Sequence, residues 1–341
     1  MRNNNIFIFS LIISLSLGIF GFTGCGGNSY HTAEGMVWNT MYHITYKGDA
    51  TLEDSILATL EEVGKSLSVF DTTSLVSTLN RDDSVLADSH LKRVYESSLK
   101  VNKTSKGMFD PTVSPLVNAW GFGIGHKATA DTTAIDSILQ FVGISKTRFS
   151  NGYIVKEDRR IQFNFSGVAK GYGCDAIGEM FRRNGVTDYM VEIGGEIALS
   201  GLSPSGEDWK ISIDAPIEET GSPSHESMLV VSLTDKGIAT SGNYRNFRKD
   251  GNGTVAHTIS PMTGRPVMGS VLSASVITDN CVDADAIATA CMASDVENAK
   301  NILSELGADG LLIFADTVWM TPGFSKYIIE EVSVPGNKVR N

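Results

Sequence analysis

Between Tyr189 and Ile277 the chain is cut by Gly, Pro and Ser into short strand-like runs, while helical stripes lie on either side. Leu52, Ile56, Leu60, Val63 and Leu67 recur at helical spacing. Further helices are predicted over about 89–104, from a cap at Asp131 to Gly143, over roughly 167–184, and over 283–293 and 295–306. A strand is predicted over 36–47, a strand pair over 149–156 and 161–165, and a closing hairpin near 311–320. The stretches 71–88 and 215–227 read as loops. Strands and helices do not alternate as regular βαβ units. The expected class is therefore α+β, with mixed, largely antiparallel sheets and packed helices.

The N-terminus has a different logic. Arg2 is the only charged side chain before residue 34, and an uncharged run follows from Ile6 to Phe22. A basic tip, an apolar stretch and small residues make a secretory signal. Phe22-Thr23-Gly24-Cys25 resembles a bacterial lipoprotein cleavage box, with Cys25 lipidated as the first mature residue. The alternative is an uncleaved membrane anchor, but seventeen residues interrupted by Gly18 and Gly21 are marginal for a span. The expected organisation is a signal peptide over 1–24, a tether over 25–33, one domain over 34–330 and a tail over 331–341. The expected location is that of a periplasm-facing membrane lipoprotein of a Gram-negative-type bacterium. Cys174, Cys281 and Cys291 fit no zinc spacing and read as buried free thiols.

Charge excludes one class of partner. The 341 residues carry 28 Lys+Arg against 39 Asp+Glu, a formal net charge of −11. Binding a nucleic-acid backbone needs clustered cations, so nucleic acid is not expected as a partner. Common catalytic signatures are missing as well. Gly64-Lys65-Ser66 echoes a P-loop ending, but Thr59 stands where the first glycine belongs. No G-x-S-x-G elbow and no H-E-x-x-H pair occurs.

Four clusters remain. Phe109 to Gly123 packs two prolines, Trp120 and two glycines into a stiff aromatic loop that a flat ligand could approach, or that simply packs on itself. Phe163 to Asp175 runs from an apolar strand through Ser166-Gly167 into a helix. Free N–H groups there, with Lys170 beside them, suit an anion, and unpaired carbonyls suit a hard cation. Gly237 to Phe247, with His257 to Pro266, concentrates polar residues; His257 is a candidate general base. In Val282 to Ala290, Asp285 and Thr289 are four apart and share a helix face, half a shell for Mg²⁺, while Asp283 reads as a helix cap. Each cluster also has a purely structural reading.

Taken in this order, the segments resemble the ApbE family of FAD:protein FMN transferases over roughly 34–330. The most specific pieces are the 109–123 stretch, Gly167-Val-Ala-Lys-Gly-Tyr172, Thr240-Ser-Gly-Asn-Tyr-Arg245, His257-x-Ile-x-Pro-x-Thr-Gly-Arg-Pro266 and Ala284-Asp-Ala-x-Ala-Thr289. The resemblance implies a Mg²⁺-dependent enzyme that cleaves FAD, places FMN on a Thr or Ser hydroxyl of a target protein and releases AMP. The implied targets are flavin-accepting subunits of Na⁺- or H⁺-translocating redox complexes. By the same resemblance Asp285, Thr289 and the Ala169 carbonyl hold the metal. Trp38, Phe70, Ala119, Trp120 and Gly121 line the flavin site, Ser166, Lys170, Tyr172 and Ile259 contact the nucleotide, and His257 is the base. Three positions depart from the family pattern: Trp38-Asn39-Thr40 for Met-Gly-Thr, Phe70 for Tyr, and Ser260 for Asp. A FAD diphosphatase and a non-catalytic FAD-binding lipoprotein are the alternatives. Gly194-Gly195-Glu196 matches the family without an assigned role.

Overall fold

Where one strand is predicted over 36–47, the chain forms a hairpin of Ser29–Val37 and Thr40–Gly48. Its two turn residues, Trp38 and Asn39, both have left-handed φ values of 48° and 65°, the geometry of a two-residue turn between twisted strands. Residues 29–33, expected in the tether, pair with 44–48 as strand. The structure is a computed structural model describing residues 29–122, 132–215, 227–242, 247–250, 253–256, 258–267 and 271–331. The signal peptide, Cys25, His257 and most of the 215–227 loop lie outside those residues.

The hairpin opens an eight-stranded sheet. It continues through Tyr189–Ile193, Glu196–Ser200, Gly237–Gly242, Ser273–Thr278, Asp309–Ile313 and Val318–Met320, each hydrogen-bonded to the strand named before it and antiparallel to it. The other sheets are antiparallel as well, and the only parallel pairing among the described residues is an isolated bridge between Val113 and Gln162. Side chains alternate across the eight strands. Ile197, Leu199, Ile238, Ile277, Leu311 and Ile313 face a three-stranded sheet of Trp209–Asp214, Ser227–Leu233 and Ile328–Glu331. Ala198, Ala239, Ala274, Val276 and Leu312 face the helices.

Two helices lie directly on that second face. Ala169–Arg183 packs over the strands 189–193 and 196–200, and Cys281–Met292 over 237–242 and 273–278. Glu53–Leu67 and Ser89–Thr104 cover them as an outer layer. The 281–292 helix has no single apolar face and is buried nearly throughout, its two aspartates included, as a helix sandwiched between layers must be. Its cap is Asn280, whose side chain accepts the Asp283 N–H at 2.9 Å. Asp283, expected as the cap, instead accepts hydrogen bonds from Ser97 Oγ at 2.6 Å and Lys100 Nζ at 2.8 Å on the outer layer.

Two local expectations are corrected. The 71–88 stretch holds a helix, Leu75–Arg81, and a strand, Ser84–Leu86; Ser74 caps the helix and Val76 and Leu79 bury its inner face. The strand Tyr153–Lys156 pairs with Thr147–Ser150 through an Asn151-Gly152 turn, both residues at positive φ, rather than with 161–165. In 161–165 a side chain stands in for a partner strand: Asn80 accepts the Phe163 N–H at 2.7 Å and donates to its carbonyl at 2.9 Å.

Candidate active site

Ile161, Phe163 and Phe165 are fully buried and fix the approach to the Ser166-Gly167 turn; the helix starts at Ala169. Its first residues meet the 281–292 helix at very short range. A Cβ on Gly171 would overlap the Cys281 carbonyl oxygen and stand 2.8 Å from the Asp285 Cβ, so only glycine allows the approach. The Gly171 N–H donates to Asp285 Oδ2 at 3.0 Å. One turn further, Thr289 Oγ1 donates to the Gly167 carbonyl at 3.3 Å. The predicted Asp285/Thr289 face therefore lies against the 167–171 turn, with Ala169 inside it.

The charges here are concentrated. Asp285 is 2% exposed; burial pushes its carboxyl up, opposed by the Lys170 ammonium and the Gly171 N–H. Lys170 Nζ is in contact with Glu196 Oε2, and Glu196 is itself buried. Burial works against the Lys170 charge, but the Glu196 and Asp285 carboxylates outweigh it and push the ammonium up to about 12. Burial pushes Glu196 up and Lys170 opposes the rise; direct contact with the ammonium favours the ionised pair. The predicted anion-binding lysine is thus held by an internal carboxylate that sequence reasoning left without a role. Its signal was Ile193-Gly-Gly-Glu196: Gly194 and Gly195 have φ values of 62° and 101°, making a two-residue turn that leaves Glu196 in register with Ile193 and on the same strand face as Ala198.

The aromatic segment borders the same turn. Asp110 anchors it, accepting from Thr112 N at 2.8 Å, Ile144 N at 2.9 Å and Asn102 Nδ2 at 3.0 Å. Phe109 Cε2 lies 3.5 Å from where a Gly167 Cβ would stand. The rest is not all loop: Ser114–Ala119 is helical, with a proline in its first turn. Ala119 and Ile259 are buried in one small cluster with Leu116, Ile135 and Val142, and Trp120 and Phe122 pack on it. Trp120 Nε1 donates to the Gly264 carbonyl at 2.7 Å, joining this segment to the one that follows His257. Ser260 Oγ accepts the Thr263 N–H at 3.3 Å, a turn bond that the family's Asp could also make.

Other predicted contacts are more dispersed. Trp38 is wedged between the 53–67 and 169–183 helices, against Gly64 and Gly173. Ser166 is exposed at the turn. Phe70 is 62% exposed just beyond the first long helix. Tyr172 is buried, and its hydroxyl pairs with His90 Nδ1 at 2.8 Å on the outer layer. Cys174, Cys281 and Cys291 are buried free thiols, as expected.

Fold and site together define an α+β protein in which a glycine-rich helix start faces a carboxylate and a hydroxyl on a buried helix. The model of the ApbE family matches residues 38–312. The FAD:protein FMN transferase of Vibrio cholerae is 31% identical over 306 residues, covering 86% of this chain and 89% of its own length. That of Escherichia coli K12 is 27% identical over 304 residues, covering 84% and 85%. The structure of the flavin transferase ApbE from Vibrio cholerae superposes with a TM-score of 0.78 at 28% identity, covering 88% of this chain and 99% of that one. The chain belongs to the ApbE family.

Proposed function

We propose that this protein is a FAD:protein FMN transferase, which takes FMN from FAD, places it on a Thr or Ser hydroxyl of a target flavoprotein and releases AMP. The observation that carries this reading is the contact of the Asp285/Thr289 helix face with the 167–171 turn, within a chain of the ApbE family.

The donor set fits Mg²⁺. Among the described residues no group of three or more His, Cys, Asp or Glu could hold a metal ion. Mg²⁺ does not need one, since it is commonly held by one or two carboxylates, substrate phosphates and retained waters. Asp285, Thr289 and the Ala169 carbonyl would hold it, all hard oxygen donors on adjacent turns. Bound there, the ion would neutralise the diphosphate and the departing AMP.

The chain's own residues would do the rest. In the 166–170 turn the Ser166, Val168 and Ala169 N–H groups are bonded to Asn164 and Phe165, so the Gly167 and Lys170 N–H groups would be the backbone donors to phosphate oxygens at this helix start. The segment around Ala119, Trp120 and Gly121 gives the flavin a rigid wall, tied to Gly264. His257 takes the proton of the acceptor hydroxyl as that oxygen attacks the FMN phosphorus, and the P–O bond to AMP breaks. The acceptors are flavin-carrying subunits of Na⁺- or H⁺-translocating redox complexes. A lipid on Cys25 keeps the enzyme at the membrane that holds them, facing the periplasm; among the described residues no helix is long and apolar enough to cross it.

The test is incubation with FAD and Mg²⁺, with and without a flavin-acceptor domain. A gain of the FMN mass on one acceptor threonine, with equimolar AMP, is the expected result. Rapid release of free FMN without acceptor would replace the reading with a diphosphatase, and intact bound FAD would replace it with a carrier.

A further inference from the structure

A full negative charge at Glu196 is out of place on its strand. The residues that follow it, Ile197 to Leu199, are all buried and apolar, and the carboxylate enters the layer between sheet and helices. Such a charge persists only when paired. Its partner is the Lys170 ammonium. Lys170 also interacts electrostatically with Asp285, and its neighbour Gly171 is the residue that hydrogen-bonds Asp285. The ammonium thus feels two buried carboxylates, and its direct contact goes to Glu196. The 194–195 turn keeps it there: the position of a Gly194 Cβ lies 3.3 Å from Lys170 Cδ.

We propose that Glu196 is a positioning residue of the metal site: by holding the Lys170 ammonium it keeps the Asp285 carboxylate free for a divalent cation. This rests on the Mg²⁺ reading of Asp285 given above. The physical argument is competition. An ammonium deprived of Glu196 still feels the Asp285 carboxylate, which is bonded to the next residue's N–H, and a cation paired there would both occupy the ligand and repel the incoming ion. With Glu196 in place, the ammonium has a carboxylate partner that is not a proposed ligand, and Asp285 is left to the cation. The same pairing leaves the lysine stem beside the turn where phosphate oxygens are expected, so its charge is muted without being lost from the site.

The experiment measures Mn²⁺ binding by the electron paramagnetic resonance of free Mn²⁺, with and without FAD, on wild type, Asp285→Asn, Glu196→Gln, and Glu196→Gln combined with Lys170→Met. Thermal melts on each report folding. Wild type is expected to bind and Asp285→Asn to lose binding. Glu196→Gln should bind at least about tenfold more weakly, because its ammonium is released towards Asp285. The double variant, with no ammonium to compete, should return to within about threefold of wild type, a recovery that a merely structural role of Glu196 does not produce. If Asp285→Asn binds as wild type does, the metal reading itself fails. If Asp285→Asn loses binding while Glu196→Gln keeps it, the metal reading stands and the proposal is overturned. Weak binding in both folded Glu196 variants overturns it too. Should Glu196→Gln fail to fold, the double variant still decides: wild-type affinity there supports competition by the lysine, and lost affinity rejects it.

Discussion

The Gly171 amide donates to the Asp285 carboxylate at 3.0 Å, and the same glycine leaves no room for a side chain against the Cys281 carbonyl. One residue thus sets both the spacing of two helices and the orientation of the proposed metal ligand. Gly171→Ala must push backbone from backbone, since the obstruction is a carbonyl and not a flexible side chain. Overpacking of this kind costs about 1–3 kcal/mol or more. The expected outcome is a lower melting temperature together with loss of FMN transfer, read by thermal denaturation and by acceptor mass. Wild-type activity in this variant would show that the helices can separate without disturbing Asp285.

Trp120 and Gly264 give a second, milder case. Trp120→Phe keeps a ring on the Leu116 cluster but leaves the Gly264 carbonyl without its indole donor. A lost hydrogen bond with a carbonyl left behind costs about 1–3 kcal/mol. The link joins the two segments proposed to border the flavin and to carry the base, so on that proposal FAD binding should weaken more than global stability falls. Comparing FAD titration with urea unfolding checks this, and equal losses in both would assign Trp120 to the core alone.

The long-range contact between clusters was legible in the sequence only as motif order. The Asp285/Thr289 pairing was readable because helical period places them on one face, and the structure brings that face to the Gly167 turn. The hairpin turn at Trp38-Asn39 was missed because neither residue is glycine, although Asn tolerates left-handed φ. Asn151-Gly152 is a strong hairpin signal in the sequence, and it pairs Tyr153–Lys156 with Thr147–Ser150 rather than with 161–165. Phe163 was unreadable as a non-strand, since its partner is the Asn80 side chain, 83 residues away. Glu196 escaped because a buried charge makes sense only once its cation is located, and Lys170 sits on a different element.

Asp175 sets a pH dependence of stability. Its carboxylate accepts the Cys281 and Val282 N–H groups, each at 2.8 Å, at the start of the helix that carries Asp285. Burial pushes it up to about 7, the two donors opposing the rise, from an ordinary value of 3.8. A carboxyl raised on folding contributes stability that is fully present below the unfolded value and is lost as pH climbs through the folded one. Between about pH 4 and pH 7 this group alone should therefore cost stability on the order of a few kcal/mol. Urea midpoints at pH 5, 6, 7 and 8 should fall less steeply for Asp175→Asn than for wild type. Parallel curves would mean that Asp175 stays ionised when folded.

The anchor is tested at Cys25. Cys25→Ser removes the acceptor of the proposed lipid and should shift the protein from the membrane fraction to soluble or uncleaved forms. One acyl chain binds a membrane only marginally, so stable attachment requires more than one on this residue. Mass spectrometry of the mature N-terminus reads the modification directly. An unmodified Cys25 thiol in the wild-type membrane fraction would reject the anchor.

His257 follows the strand Gly253–Ala256 and precedes the turn that Ser260 and Gly264 close, with Trp120 bonded to that turn. If it accepts the proton of the acceptor hydroxyl, His257→Ala should slow transfer by roughly 10²–10⁴-fold, the usual worth of general-base catalysis. FAD affinity should change far less, because the lost interaction belongs to the reacting step. Asp283 is a poor substitute base, since Ser97 and Lys100 already occupy its oxygens. The deciding measurement is the single-turnover rate against pH. Wild type should show an acidic limb from imidazole protonation, and His257→Ala should lose that limb along with the rate. Identical profiles in the two proteins would leave His257 a structural residue of its turn.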